Sequence, residues 1–342
     1  MVRLFTRSTG VALLCVFAGA GAAQEPKKAK TAVDLPKSAI GVTLETEDGI
    51  YLVATYFKPG AGGKRTGAVV LPNVRTHTQR DWYPFAERLV KDGLAVVTFD
   101  FRGHGQSTVR GPNARAGGRR EGGQVRADEA LKSPAEFAYD LDTIKQFLLI
   151  ENNAGSLNIR QYAIVAVGDL ASVVTMNWIA NREFGGRTTW TREGGDICAL
   201  SLVAPAHSYG KLRFSGKLGE GSDNLPIYML SAGRNPDIEK LGKNLRIPYV
   251  IEEGSKERAP YAFEERRARE GGWERVDLKK SGKAARTADL GVEFVKSAEM
   301  ESIRDKVRGF LVSRCAFTTA APWEGDRATD QAFSVITRTD QK

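Results

Sequence analysis

The sequence predicts an α/β protein: a mostly parallel sheet with helices on both faces and an antiparallel hairpin leading into it. Three observations carry that prediction. Short runs that are apolar throughout, at 67–72 (GAVVLP), 94–99 (LAVVTF) and 197–203 (ICALSLV), are what strands buried on both faces require. Helical stretches separate these runs, the alternation expected of a parallel sheet. Residues 162–180 (YAIVAVGDLASVVTMNWIA) read as a buried strand, a tight turn and a helix in immediate succession.

Residues 24–38, with QEPKKAK, read as a solvated linker. From Gly41, GVTLETEDGIYLVATYF alternates apolar and polar residues on both sides of Asp48-Gly49, a strong hairpin signal. A helix at 81–92 is closed by Gly93 just past its end. The strand at 94–99 runs into DFRGHGQS (100–107), and from there to Leu131 the chain is rich in Gly and Arg, as in a long mobile loop. A helix at 133–152 places Phe137, Leu141, Ile144 and Leu148 inward and Asp140 and Asp142 on its surface. Further strands are expected at 197–203, 226–230 and 273–278, and further helices at 237–245, 261–270 and 292–313. A single domain over 39–315 results. The tail, 316–342, shows no clear periodicity before 332–337 and carries no structural expectation. The sequence has no internal repeats.

The N-terminus has the pattern of a secretory signal over 1–23: Arg3 and Arg7, an apolar run at 11–21, then Gly21-Ala22-Ala23. The run is too short to span a bilayer comfortably, and Leu14 is too bulky for lipid attachment at Cys15. Cleavage and export, periplasmic or secreted, are expected, with no membrane attachment afterwards. The formal net charge of +9 then falls to +7 as the two arginines leave. A basic balance favours anionic surfaces, but acids and bases are mixed through most of the chain and it holds no recognised nucleic-acid module. No nucleic-acid partner is expected. Cys198 and Cys315 are too few for a disulfide framework. They read as two buried thiols, one in a strand and one in the last helix. A bond between them is open only in an oxidising compartment.

DFRGHGQS, together with the spacing of GAVVLPNVRTHTQRDWYPFAERLVKDGLAVV before it, resembles the α/β-hydrolase superfamily. The nearest likeness is to dienelactone-hydrolase-like and serine-aminopeptidase-like esterases, and it runs from about Val42 to Phe310. The resemblance implies an α/β-hydrolase fold without a large cap, since only about twenty residues separate Val203 from Pro226. It also implies a nucleophile on the strand-to-helix elbow, an acid after a later strand and a histidine after the last, in that chain order.

Each implied position departs from the pattern. In the register Val167-Gly168-Asp169-Leu170-Ala171 the elbow serine is replaced by Asp169 and the flanking glycines by Val167 and Ala171. Aspartate there also suits the start of the following helix, where it accepts backbone N–H bonds and complements the dipole; that is the better reading. Asp237 stands near the acid position, beside Pro236 at a helix start. The histidine position falls on Ala285 or Arg286, and the sequence holds only His77, His104 and His207. His104 belongs to the DFRGHGQS turn and His77 to the loop that builds part of the family's oxyanion hole. His207, near the rim of the expected crevice, is the one to consider for chemistry, although all three read better as structural or solvent-facing.

Branches resembling haloalkane dehalogenases and epoxide hydrolases do attack with a carboxylate. The ester they form must then be opened by water that a histidine activates. Arginine cannot take that proton. Ser172, as a slipped nucleophile, would sit one turn inside the helix and would also lack a histidine. The expectation is therefore an exported α/β-hydrolase-fold protein without hydrolase activity, a binding or accessory protein. The alternative is a hydrolase of esters, haloalkanes or epoxides that uses Asp169. No cofactor and no metal are expected. The ligand or acidic partner would meet the strand-end crevice, with the arginines of 110–126 as a recruiting surface, although a solvated flexible loop is the plainer reading of that stretch.

Overall fold

The computed structural model describes residues 35–73, 77–111, 123–130, 132–184, 195–214, 218, 225–232, 236–245, 271–276, 287–316, 322–325, 327, 329 and 335–340. The chain divides into Met1–Asp34 and Leu35–Lys342. The stretch expected as a signal, 1–23, and most of the expected linker fall in the first unit, outside the described residues. Residues 35–38, expected as linker, already belong to the second: Leu35 packs against its core, and the Ala39 N–H reaches the Pro36 carbonyl at 2.8 Å.

Strands β1 (Ala39–Glu45) and β2 (Ile50–Phe57) form the expected hairpin, with Ala39 opposite Phe57 and Glu45 opposite Tyr51. Gly49 closes the turn at φ +82°, a left-handed conformation that glycine takes without strain. β3 (Ala68–Pro72), β4 (Ala95–Phe99), the short β5 (Val109–Arg110), β6 (Tyr162–Val167) and β7 (Ile197–Val203) follow. A two-residue ribbon, β8 (Ser208–Tyr209) and β9 (Leu212–Arg213), precedes β10 (Ile227–Ala232), β11 (Gly271–Val276) and β12 (Val335–Asp340). The sheet order is β11-β10-β7-β6-β3-β4-β2-β1-β12, with β5 on β2. From β11 to β4 every pairing is parallel, and β2, β1 and β12 continue antiparallel. This is the arrangement of an α/β-hydrolase fold: a leading hairpin, β3 and β4 exchanged, and the later parallel strands laid down in sequence.

Every residue of β3, β4 and β6 is buried, because helices cover both faces. α1 (Tyr83–Lys91), α6 (Thr287–Lys296) and α7 (Glu301–Cys315) pack on one face. α3 (Phe137–Asn153), α4 (Gly168–Trp178) and α5 (Pro236–Asn244) pack on the other, and the single turn α2 (Ala127–Ala130) lies against their cluster. Each fully buried Val, Leu, Ile or Phe contributes about 1.5–3 kcal/mol, so the two clusters dominate stability.

Three expectations change, and the tail, for which there was none, carries structure. The helix expected over 292–313 is two helices, because the Ser297 hydroxyl caps a new turn by accepting the Glu299 N–H at 3.2 Å. Asp140, expected on the surface of α3, is fully buried. It lies at i+3 from Phe137, on the same stripe as Leu141 and Ile144. Arg110, expected in a mobile basic loop, is buried on β5 and pairs with Glu129 at 2.9 Å; Arg115, Arg119 and Arg120, like the helix expected at 261–270, lie outside the described residues. In the tail, Trp323 and Glu324 cross the end of α3, where the Asn152 amide donates to the Glu324 carbonyl at 2.8 Å and Lys64 sits 3.9 Å over the Trp323 ring. The tail then adds β12 along β1 and so covers an open sheet edge.

Candidate functional site at the strand ends

β6 delivers the chain to the elbow in extended conformation, Val167 having φ −114° and ψ 128°. A turn from strand directly into helix forces one residue into the left-handed region, and that residue is Gly168, at φ +80°. Asp169 lies one position later, half-buried in the first turn of α4. The elbow register is thus Ala166-Val167-Gly168-Asp169-Leu170, a correction of one residue. Matching side-chain chemistry had placed the aspartate at the apex, whereas backbone φ decides which residue occupies it. The Asp169 carboxylate accepts the Leu170 N–H at 2.8 Å, and its charge meets the unpaired N–H groups of the helix start.

Ser172, the slipped-nucleophile candidate, is a buried strut. Its hydroxyl donates to the Asp169 carbonyl at 3.2 Å and accepts the Ala206 N–H at 3.1 Å. A Cβ on Gly291 of α6 would stand 3.5 Å from the Gly168 Cα and 3.5 Å from the Ala204 Cβ. Ala204, just past β7, has φ +51°, left-handed for a residue with a side chain. Three small residues therefore meet at the elbow, and none of them carries a nucleophile.

Asp237 is exposed in the first turn of α5, where its charge complements the helix start. His207 is half-buried, and its carbonyl accepts the Phe214 N–H at 3.1 Å. Among the described residues its imidazole makes no hydrogen bond or ion pair. The Ser172 strut joins the backbone at Asp169 to the residue before His207, so the structure brings these two segments together through main chain. The histidine position at 285–286 lies outside the described residues, and the sequence holds no histidine beyond His207. His77 is 8% exposed, with Nδ1 3.3 Å from Asp81. Burial and the Lys296 charge hold its pKa below the ordinary value against the pull of Asp81. The His104 Nδ1 lies 3.0 Å from the Arg102 carbonyl, a structural contact inside the turn.

The DFRGHGQS turn holds the most developed polar constellation at this edge. Asp100 accepts the Gln79 N–H at 2.8 Å and the Gln106 N–H at 3.0 Å. Gly105, at φ +48°, leaves the space that the Asp100 carboxylate fills; a Cβ there would overlap it. Burial pushes the Asp100 pKa up to about 6 despite its two N–H donors. Arg102 is 1% exposed and held between Asp140 (Nε to Oδ1, 2.8 Å) and Asp48 (2.5 Å). Burial opposes its charge, but the two carboxylates outweigh that and keep it ionised. The cleft beside it, about 220 Å³, is lined by Asp48, Arg102, Arg110, Glu129, Lys132 and Glu136, with Arg102 facing Asp48 and Glu136 and Arg110 facing Glu129. Sequence reasoning missed Asp48, Asp140 and Glu129 as partners. The helical stripe that contains Phe137, Leu141 and Ile144 would have revealed Asp140.

No family model and no curated protein matches the chain. Among solved structures it is similar to an α/β serine hydrolase homologue from Coxiella burnetii, with 12% identity over 80% of this chain and 95% of that one, TM-score 0.42. An esterase from Pyrococcus furiosus gives 16% identity over 80% and 90%, TM-score 0.44. A dienelactone hydrolase from Anabaena variabilis gives 9% over 80% and 97%, TM-score 0.44. The strand order, the leading hairpin and the strand-to-helix elbow together make this an α/β-hydrolase fold.

Proposed function

We propose that this chain is an exported α/β-hydrolase-fold protein that has lost triad catalysis and serves as a binding or accessory protein. The observation that carries the reading is Gly168 at the apex of the elbow, a position with no side chain to attack a substrate. The absence of any histidine after His207 supports it, because removing one member of a catalytic unit typically costs several orders of magnitude in rate. Use of Asp169 as nucleophile is less favoured: its carboxylate takes the adjacent N–H, and among the described residues the His207 imidazole makes no hydrogen bond through which to act as base. A ligand or acidic partner would sit in the strand-end crevice over Gly168, Ala204 and Gly291, where open α/β sheets bind.

The test is incubation of purified protein with short-chain esters, a haloalkane and an epoxide. The expected rates equal those of buffer, for the wild type and for Asp169→Asn alike. Wild-type turnover that disappears in Asp169→Asn would sink the reading. For binding, a panel of small acyl and aromatic acids and acidic peptides should raise the melting temperature of the wild type and not that of Gly291→Leu, whose side chain fills the crevice. No shift across the panel counts against a crevice ligand. Export is checked by fractionating expressing cells, with the mature chain beginning near Gln24.

A further inference from the structure

Cys198 and Cys315 lie 117 residues apart in sequence, yet their sulfurs are 3.1 Å apart. That is about 1 Å beyond the length of an S–S bond, ~2.05 Å. The approach is built by two independent features of the fold.

The first is a β-bulge. Tyr162 of β6 stands opposite Ile197, but the next residue, Ala163, stands opposite Ala199, so Cys198 is the extra residue on β7. A bulge re-aims the side chain it carries. Here Cys198 and Ala199, though consecutive, both pack into the cluster on the α7 face, while Ile197 and Leu200 face the opposite cluster. The second is Gly67 at the start of β3. A Cβ there would overlap the Cys315 carbonyl oxygen and stand 2.7 Å from the Gln161 carbonyl oxygen. Only glycine lets the last turn of α7 sit this close to the sheet.

We infer that Cys198 and Cys315 form a redox-closed staple, a disulfide that locks the end of α7 onto β7 in any milieu supplying a disulfide oxidant. The inference is independent of the functional reading above and goes beyond it. The order of events follows from access. Cys198 is half-buried, whereas Cys315 is fully buried with its thiol pKa pushed up by that burial. The Cys198 thiolate attacks a disulfide such as oxidised glutathione, forming a mixed disulfide and releasing one glutathione thiolate, which takes up the Cys198 proton. Cys315 then gives up its proton and attacks the Cys198 sulfur, forming the internal bond and releasing the second glutathione as thiol. Two protein thiols are oxidised by two electrons and one glutathione disulfide is reduced to two thiols.

The test uses the full chain, reduced and then incubated with oxidised glutathione, quenched with alkylating reagent and digested without reductant. A peptide joining Cys198 to Cys315 is expected, with Cys15 outside the pair. The oxidised protein should melt roughly 5–10 °C above the reduced one, because closing so long a loop constrains the unfolded chain, and Cys198→Ser should abolish that difference. Two outcomes overturn the inference: both cysteines recovered alkylated, or Cys198 recovered only as its glutathione adduct.

Discussion

Two turns leave the same edge of the sheet, one after β4 and one after β6, and they differ in what they carry. In the first, Asp100 is buried on two backbone N–H donors and Arg102 on two carboxylates, with left-handed Gly105 making room for the Asp100 carboxylate and left-handed Gly103 for the backbone at Arg126 and Ala127. In the second the apex is a bare glycine, and the nearest carboxylate is occupied at a helix start. The polar groups that hold the first turn are buried and paired, and the apex of the second carries no side chain. The contrast teaches that the two turns answer to different demands. A buried ion pair cannot lose one partner without exposing the other to a low-dielectric interior, whereas the side chain at a turn apex can change at little structural cost.

The largest effect should come from breaking the first turn. Arg102→Met leaves Asp140, fully buried, without its counter-charge, and should cost about 3–5 kcal/mol in urea denaturation. A loss below about 1 kcal/mol would mean the turn is not a structural anchor, and the contrast would fall. Asp140→Leu on the same background should recover part of the loss by removing the orphaned carboxylate.

A pH experiment sharpens the same side. The folded pKa of Asp100, about 6, lies above its ordinary value of 3.8, so the folded chain holds that proton more tightly than the unfolded chain. The stability this contributes is fully present below about pH 4 and is lost as pH rises through about 6, at most about 3 kcal/mol. Wild-type stability minus that of Asp100→Asn, measured by urea titration from pH 4 to 7, should therefore fall across that window. A flat difference would show that Asp100 stays ionised throughout.

The smallest effect should come from the second turn. Gly168→Ser places a side chain on a left-handed residue and should cost about 1–2 kcal/mol. It restores the elbow hydroxyl without a histidine to activate it, so ester hydrolysis should stay at background. Measurable turnover in this variant would assign His207 the role of base and collapse the contrast between the two turns.

Much of the scaffold was legible because it is written in local pattern. Asp48-Gly49 between alternating segments specifies a hairpin, and apolar runs bounded by turn residues specify buried strands, since each needs only neighbours in sequence. The site was less legible. Asp169 drew attention by its chemistry, while the residue that defines the elbow, Gly168, is visible only through its φ. The burial of Asp140 is legible in the helical stripe it shares with Leu141 and Ile144, but its partner Arg102, 38 residues away, is not. The tail defied reading for a related reason: β12 becomes a strand only because β1 offers an unpaired edge.

The sequence by itself determined the fold class, the leading hairpin and the lack of a histidine after the last strand, all properties of composition and short-range pattern. Tertiary structure decided which residue stands at the apex of the elbow, which charges are buried as pairs, and that Cys198 and Cys315 meet. Each of those depends on groups distant in sequence entering the same low-dielectric space or the same sharp turn. Packing and backbone geometry settle that; side-chain identity alone does not.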